Sequence, residues 1–191
     1  MLKRLLFVSI GLSMVVAACG KSSTGTSAKN GTPLPSGSTA GFQTYTDATY
    51  GFNIGYPSEW ERQQGAAGSA VAFLSPVEGT SDDFRENVNV LIQTLPDGSF
   101  TLEKYTQLSL QQAPSLITGF HLLDQGSTSL SGSPADRVHY QGEQGNFLLE
   151  WEQVWTVKDG KAFILTYTAK RDRYQAQLGT AESMFTTFRL P

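Results

Sequence analysis

Cysteine is all but missing from this chain, with Cys19 alone among 191 residues. One thiol cannot close an intrachain disulfide, so no such staple holds the fold. Histidine is nearly as scarce. His121 and His139 come with no HExxH and no His-x-His spacing, which excludes the usual zinc centres and leaves each as a surface or core-edge residue on a predicted strand. The many serines include no Gly-x-Ser-x-Gly elbow, so hydrolases built on that turn are excluded too. Long apolar runs are also lacking. The longest, Leu5 to Ala18, falls short of the roughly 20 residues that span a bilayer.

That run still has a meaning. It follows Lys3 and Arg4 and ends in small residues, the order of a secretory signal. Val16-Ala17-Ala18-Cys19-Gly20 resembles a bacterial lipobox, with Val where Leu is commoner. The resemblance implies a signal peptide over 1–18 and a diacylglyceryl group on the Cys19 sulfur. Cleavage then makes Cys19 the first residue of the mature chain. Each buried methylene contributes about 0.8 kcal/mol, so two or three acyl chains hold a domain durably on a membrane. Removing Lys3 and Arg4 leaves 12 basic against 17 acidic residues, a net of −5. Nucleic acid is therefore not an expected partner, since phosphate binding needs a basic patch.

Residues 19–41 are the lipidated cysteine and a tether rich in Gly, Ser, Thr and Pro. Past Cys19 it holds one large aliphatic residue, Leu34, and no aromatic, too little to bury a core. As a flexible coil it spans roughly 25 Å. Its "GKS" at Gly20 lacks the first glycine of a phosphate loop, because Val15 stands there. Asn30-Gly31-Thr32 fits a glycosylation acceptor, a reading the bacterial lipobox sets aside.

Residues 42–191 suffice for one domain with a full core. Alternation of Phe52, Ile54 and Tyr56 predicts a strand stopped at Pro57 and resumed from Trp60. Further strands are expected over Ala70 to Pro76, from Asn87 to the turn at Pro96-Asp97-Gly98, and near 120–126 and 135–141. Helical spacing of Leu102, Tyr105, Leu108 and Gln112 predicts a helix over 101–113, capped by Thr101 or Ser99 and bent or ended by Pro114. A second helix is expected from Arg173 to about Thr186, capped by Asp172, with Tyr174, Leu178, Ala181 and Phe185 on one stripe.

The clearest signal is "FLLEWEQVWTVKDGKAFILTYTAK", two strands joined by Asp159-Gly160 in a type I′ turn. That turn sets Val157 opposite Ala162, Trp155 opposite Ile164 and Val154 opposite Leu165. Apolar pairs on both faces call for cover on both. The expected fold is α+β, a single mostly antiparallel twisted sheet flanked by helices in an α/β/α sandwich.

"YTDATYGFNIGYPSEW", "VAFLSP", "ENVNVLI", a helix, the hairpin and a last helix ending "FTTFRL" together resemble the PsbP family, in order, from about Thr44 to Leu190. The first segment is most similar to cyanobacterial lipoprotein members, which also carry a lipobox. The family takes its name from an extrinsic subunit of photosystem II linked to calcium and chloride retention. The resemblance therefore implies a calcium link, and a photosystem accessory role if the host is photosynthetic. Plant members dock through an ordered N-terminal arm, where this chain has its tether.

Four constellations bear on chemistry. Asp82, Asp83 and Glu86 could collect calcium, but without the alternating spacing of a dedicated loop they read as a solvated loop. Glu150 and Glu152 share one side of a strand and read as edge charges, with Arg171 diagonally near Glu150. Trp151 and Trp155 read as core beside Ile164, and Lys170-Arg171-Asp172-Arg173 as a solvated turn. With no catalytic set in view, the expectation is a non-enzymatic binding or assembly module. It would be monomeric, anchored by lipid on the extracytoplasmic face, and recognise an unknown protein partner. An enzyme with an unrecognised cleft site is the rival class.

Overall fold

A computed structural model describes residues 39–65, 68–80, 82–96 and 99–191. The expected signal peptide and tether up to residue 38, Cys19 among them, and the expected turn at Asp97-Gly98 lie outside the described residues. Asp159 and Gly160 both take positive φ, 50° and 69°, as a type I′ turn requires. They join β8 (Phe147–Lys158) to β9 (Lys161–Lys170), and the pairs Val157–Ala162, Trp155–Ile164 and Val154–Leu165 form as expected. Because successive side chains alternate, one face of this hairpin carries Val154, Phe163 and Leu165, and the other carries Trp151, Trp155 and Ile164.

The hairpin lies inside a seven-stranded antiparallel sheet. The other strands are β3 (Glu61–Gln64), β4 (Val71–Leu74), β5 (Asn87–Thr94), β6 (Thr118–Leu130) and β7 (Ser133–Gln144), in the order β3-β4-β5-β9-β8-β7-β6. β6 and β7 run well beyond the predicted segments, joined through Ser131 and Gly132 at φ 54° and 77°. The sheet is not single. β1 (Phe42–Thr46) and β2 (Asn53–Pro57) form a separate two-stranded ribbon. Helix α2 (Tyr174–Thr187) reaches that ribbon where Gly55, lacking a side chain, lets the Thr187 hydroxyl accept from its N–H at 2.8 Å. Ribbon and α2 together roof one face of the large sheet, with Phe52, Ile54, Met184, Phe185 and Phe188 in the core between.

The opposite face is covered in part by α1 (Leu102–Leu116), which Thr101 caps by accepting from the Lys104 N–H. Of the predicted stripe, Tyr105 is buried and Leu102 and Leu108 pack half-buried against the core, but the deepest positions beside Tyr105 are Ser109 and Ala113 rather than Gln112. Small residues at four-residue steps bring the helix close to the strands, and the Ser109 hydroxyl is satisfied by the Tyr105 carbonyl at 2.8 Å. Pro114 does not end the helix. It falls in the last turn, where its missing N–H costs one helix bond, and the Ile117 N–H closes the end on Ala113 O at 3.0 Å. Asp172 does not cap α2 either. Arg173 holds the cap position without a side-chain bond to the helix and pairs with Glu78 instead. Among the described residues no helix is long and apolar enough to cross a membrane.

The α1 end packs tightest at Gly142 on β7, where a Cβ would lie 2.4 Å from Ile117 Cγ2 and 2.9 Å from the Thr118 carbonyl. Gly142→Ala is expected to lower the unfolding free energy by about 1–3 kcal/mol in urea titrations. Gly126→Ala on β6, where a Cβ meets nothing within 4 Å, changes it by under about 0.5 kcal/mol.

Candidate functional site

Glu150 and Glu152 are not edge charges. β8 lies between β9 and β7, and α2 covers the face they share, leaving Glu152 2% exposed. Their partners come from β7, whose register sets Arg137 opposite Val154 and His139 opposite Glu152. Long side chains then meet diagonally. Arg137 Nη1 donates to Glu152 Oε2 at 2.9 Å and its Nη2 pairs with Asp124 on β6. His139 Nε2 and Glu150 Oε1 are 2.7 Å apart, and the Tyr174 ring of α2 stacks on the imidazole at 4.8 Å between centroids. Arg171 gives its backbone N–H to Leu148 O, as the hairpin register requires, but the partner of Glu150 is His139. Gly145-Asn146, the two-residue turn between Gln144 and Phe147, is the sequence signal that could have located these partners.

This network is inward-looking. Tyr174 closes over the histidine, and its hydroxyl lies 3.5 Å from Glu152 Oε2. Glu152 Oε1 is buried with no donor among the described residues. Glu182 on α2 faces the same cluster. Burial, reinforced by the nearby Glu152 charge and partly offset by Arg137, pushes its carboxyl up to about 7.

The acidic loop does not gather a cation site. Asp83 pairs with Lys170 at 2.7 Å, Asp82 accepts from the Glu78 N–H at 3.0 Å, and Glu86 is buried against the Ser75 hydroxyl. The carboxylates therefore turn to different partners, and the residues present do not fit the calcium that the family resemblance raised. His121 is exposed on β6. Trp151 and Trp155 are core residues, as expected.

A different feature went unread in the sequence. Between α1 and the β6–β7 hairpin lies an open cleft of about 670 Å³. Leu102, Leu110 and Val138 supply apolar lining, and Thr101, Glu103, Gln107, Gln125 and Ser127 supply hydroxyl, carboxylate and amide groups. A relay fixes its wall. Trp155 Nε1 donates to Thr106 Oγ1 at 2.8 Å, Thr106 donates to Asp136 Oδ2 at 2.6 Å, and Ser127 donates to Asp136 Oδ1 at 3.3 Å. Arg137, which also borders the cleft, has its guanidinium engaged by Glu152 and Asp124. The cleft thus offers oriented donors, acceptors and negative charge around an apolar floor. That chemistry suits binding.

Two measurements test the α2-side network. Arg137→Ala leaves Glu152 buried without its cation and is expected to cost about 3–5 kcal/mol of unfolding free energy; Arg137→Met with Glu152→Leu recovers most of it. A raised carboxyl means the folded state holds the Glu182 proton longer than the unfolded chain does. Stability should therefore fall as pH rises from about 4.5 through about 7, and Glu182→Gln should flatten that fall.

The fold has clear likenesses. Cyanobacterial PsbP (CyanoP) from Synechocystis sp. PCC 6803 superposes with a TM-score of 0.57 at 18% identity, covering 87% of this chain and 98% of that one. LpqN, described as involved in cell envelope biogenesis of Mycobacterium tuberculosis, gives 0.57 at 13% identity over 78% and 92% of the two chains. A Pseudomonas aeruginosa protein of unknown function, PA94, gives 0.56 at 16% identity over 76% and 94%. At these identities the likeness establishes fold alone. No curated protein matches the chain in sequence. The family assignment comes from the sequence itself, which matches PsbP throughout the folded domain. Over residues 40–190 the chain belongs to the PsbP family.

Proposed function

We propose that this protein is a lipid-anchored, extracytoplasmic binding or assembly module of the PsbP family. Cys19 would hold it at a membrane surface and the tether would let the domain reorient. The observation that carries the binding role is where the domain directs its polar side chains. On the α2 face they answer one another, with Glu152 on Arg137, Glu150 on His139, and Tyr174 over the imidazole. On the α1 face they line an open cleft. General acid–base chemistry needs a titrating group within reach of a substrate proton. The His139–Glu150 pair lies beneath a stacked tyrosine ring, which favours a structural role for it over an enzymatic one. A photosystem role is the narrower form of the same reading and applies in a photosynthetic host.

Cells grown with labelled palmitate should yield a labelled protein, and Cys19→Ala should lose the label and leave the membrane fraction. An unlabelled wild type would sink the anchor. Crosslinking on intact membranes, followed by mass spectrometry, should recover a specific protein through residues of the α1 face; crosslinks spread evenly over the surface would count against a binding module.

A further inference from the structure

β6 ends the seven-strand order, and it is unlike the opposite edge. β3 is four residues long and carries Glu61 and Arg62, both features that discourage further pairing. β6 runs for 13 residues with no Lys, Arg or Pro, and it is exposed along most of its length. Bulges between Thr118 and His121 and between Leu122 and Asp124 interrupt its first half. From Asp124 to Leu130 the pairing with β7 is regular. Among the described residues no backbone hydrogen bond closes the outer side of that regular stretch.

The regular stretch coincides with the cleft. Gln125, Gly126 and Ser127 form one wall, and helix α1 stands opposite with Leu102 and Glu103. A groove between a helix and an open strand edge suits an added strand. Its main chain takes up the unpaired N–H and C=O groups, and every second side chain enters the groove. We infer that the β6 edge from Asp124 to Ser129 binds an extended segment of a partner protein by strand addition. That segment sets an aliphatic side chain against Leu102 and Leu110 and a basic one beside Glu103.

Charge selects this occupant. The groove holds the carboxylates of Glu103 and Asp136, while Arg137, opposite Val154 in the register, turns its guanidinium to Glu152 and Asp124 on the other face of the sheet. A second copy of the chain would bring its own β6, which has no Lys or Arg to offer. The inference rests on the binding-module reading for its biological setting, while the groove stands on the geometry of α1 and β6.

The test uses full-length protein in detergent micelles and a blocked hexapeptide, Thr-Val-Thr-Lys-Thr-Val, whose Val and Lys side chains share one face of the strand, followed by amide exchange and NMR titration. At saturating peptide the amides between Gln125 and Ser129 whose N–H points outward should gain at least about tenfold protection. Gln125→Lys should weaken binding about tenfold or more, and Glu103→Gln several-fold. Glu182→Gln, on the other face of the sheet, should leave peptide binding unchanged. The same peptide N-methylated at alternate amides should not bind. Absence of β6 protection at millimolar peptide would overturn the inference, as would protection located elsewhere. A β6-mediated dimer in sedimentation runs without peptide would replace the partner segment with a second copy and overturn it too. None of these results bears on palmitate labelling, so failure here leaves the anchor reading to its own test.

Discussion

The positive backbone angles at Asp159 and Gly160 hold the register on which both faces of the large sheet depend. They place β8 and β9 side by side in the interior of the strand order, so the packing on each side starts from this hairpin. A slip of one residue would exchange the faces. Val154 and Leu165 would leave the ribbon and α2, and Trp155 would lose the Thr106 hydroxyl on α1. The lone pair at Glu152 would turn away from Arg137. One two-residue turn therefore governs both cores and the charge network under α2.

That dependence explains what could be read in advance. The Asp-Gly pair is a local signal, and the register it implies came out residue for residue. The helices were visible in their periodicity, and the Thr101 cap formed. Their ends and buried faces were less visible, because tertiary contact decides them. Ser109 and Ala113 face the sheet since they allow close approach, which hydrophobicity alone does not rank. Asp172 lost the cap position when Arg173 found Glu78, a residue 95 positions away in sequence. The separate β1–β2 ribbon was hidden for the same reason, because its alternation fits a strand in either sheet.

The candidate site was the least visible part. Glu150 and Glu152 were identifiable as a pair, but their environment comes from β7, across a Gly-Asn turn weaker than Asp-Gly as a signal. The cleft was hidden altogether. Its walls come from α1, β6 and β7, and its residues are common Thr, Gln, Ser and Leu with no distinctive spacing. Burying an ion pair such as Arg137–Glu152 adds little net stability over a well-packed apolar pair, but it strongly penalises any arrangement that separates the partners. The α2 face thus enforces one arrangement of β7, β8 and α2, and the α1 face carries surface that can vary at small cost to the fold.

The two ends of the strand order differ in one more respect. β3 is short and charged, while β6 is long and regular over half its length. A sheet with two open edges can propagate copy upon copy into a fibre, but a sheet open at one edge stops after a single addition. The asymmetry of this sheet therefore sets a stoichiometry for the proposed strand addition, in which one added strand per domain would terminate growth.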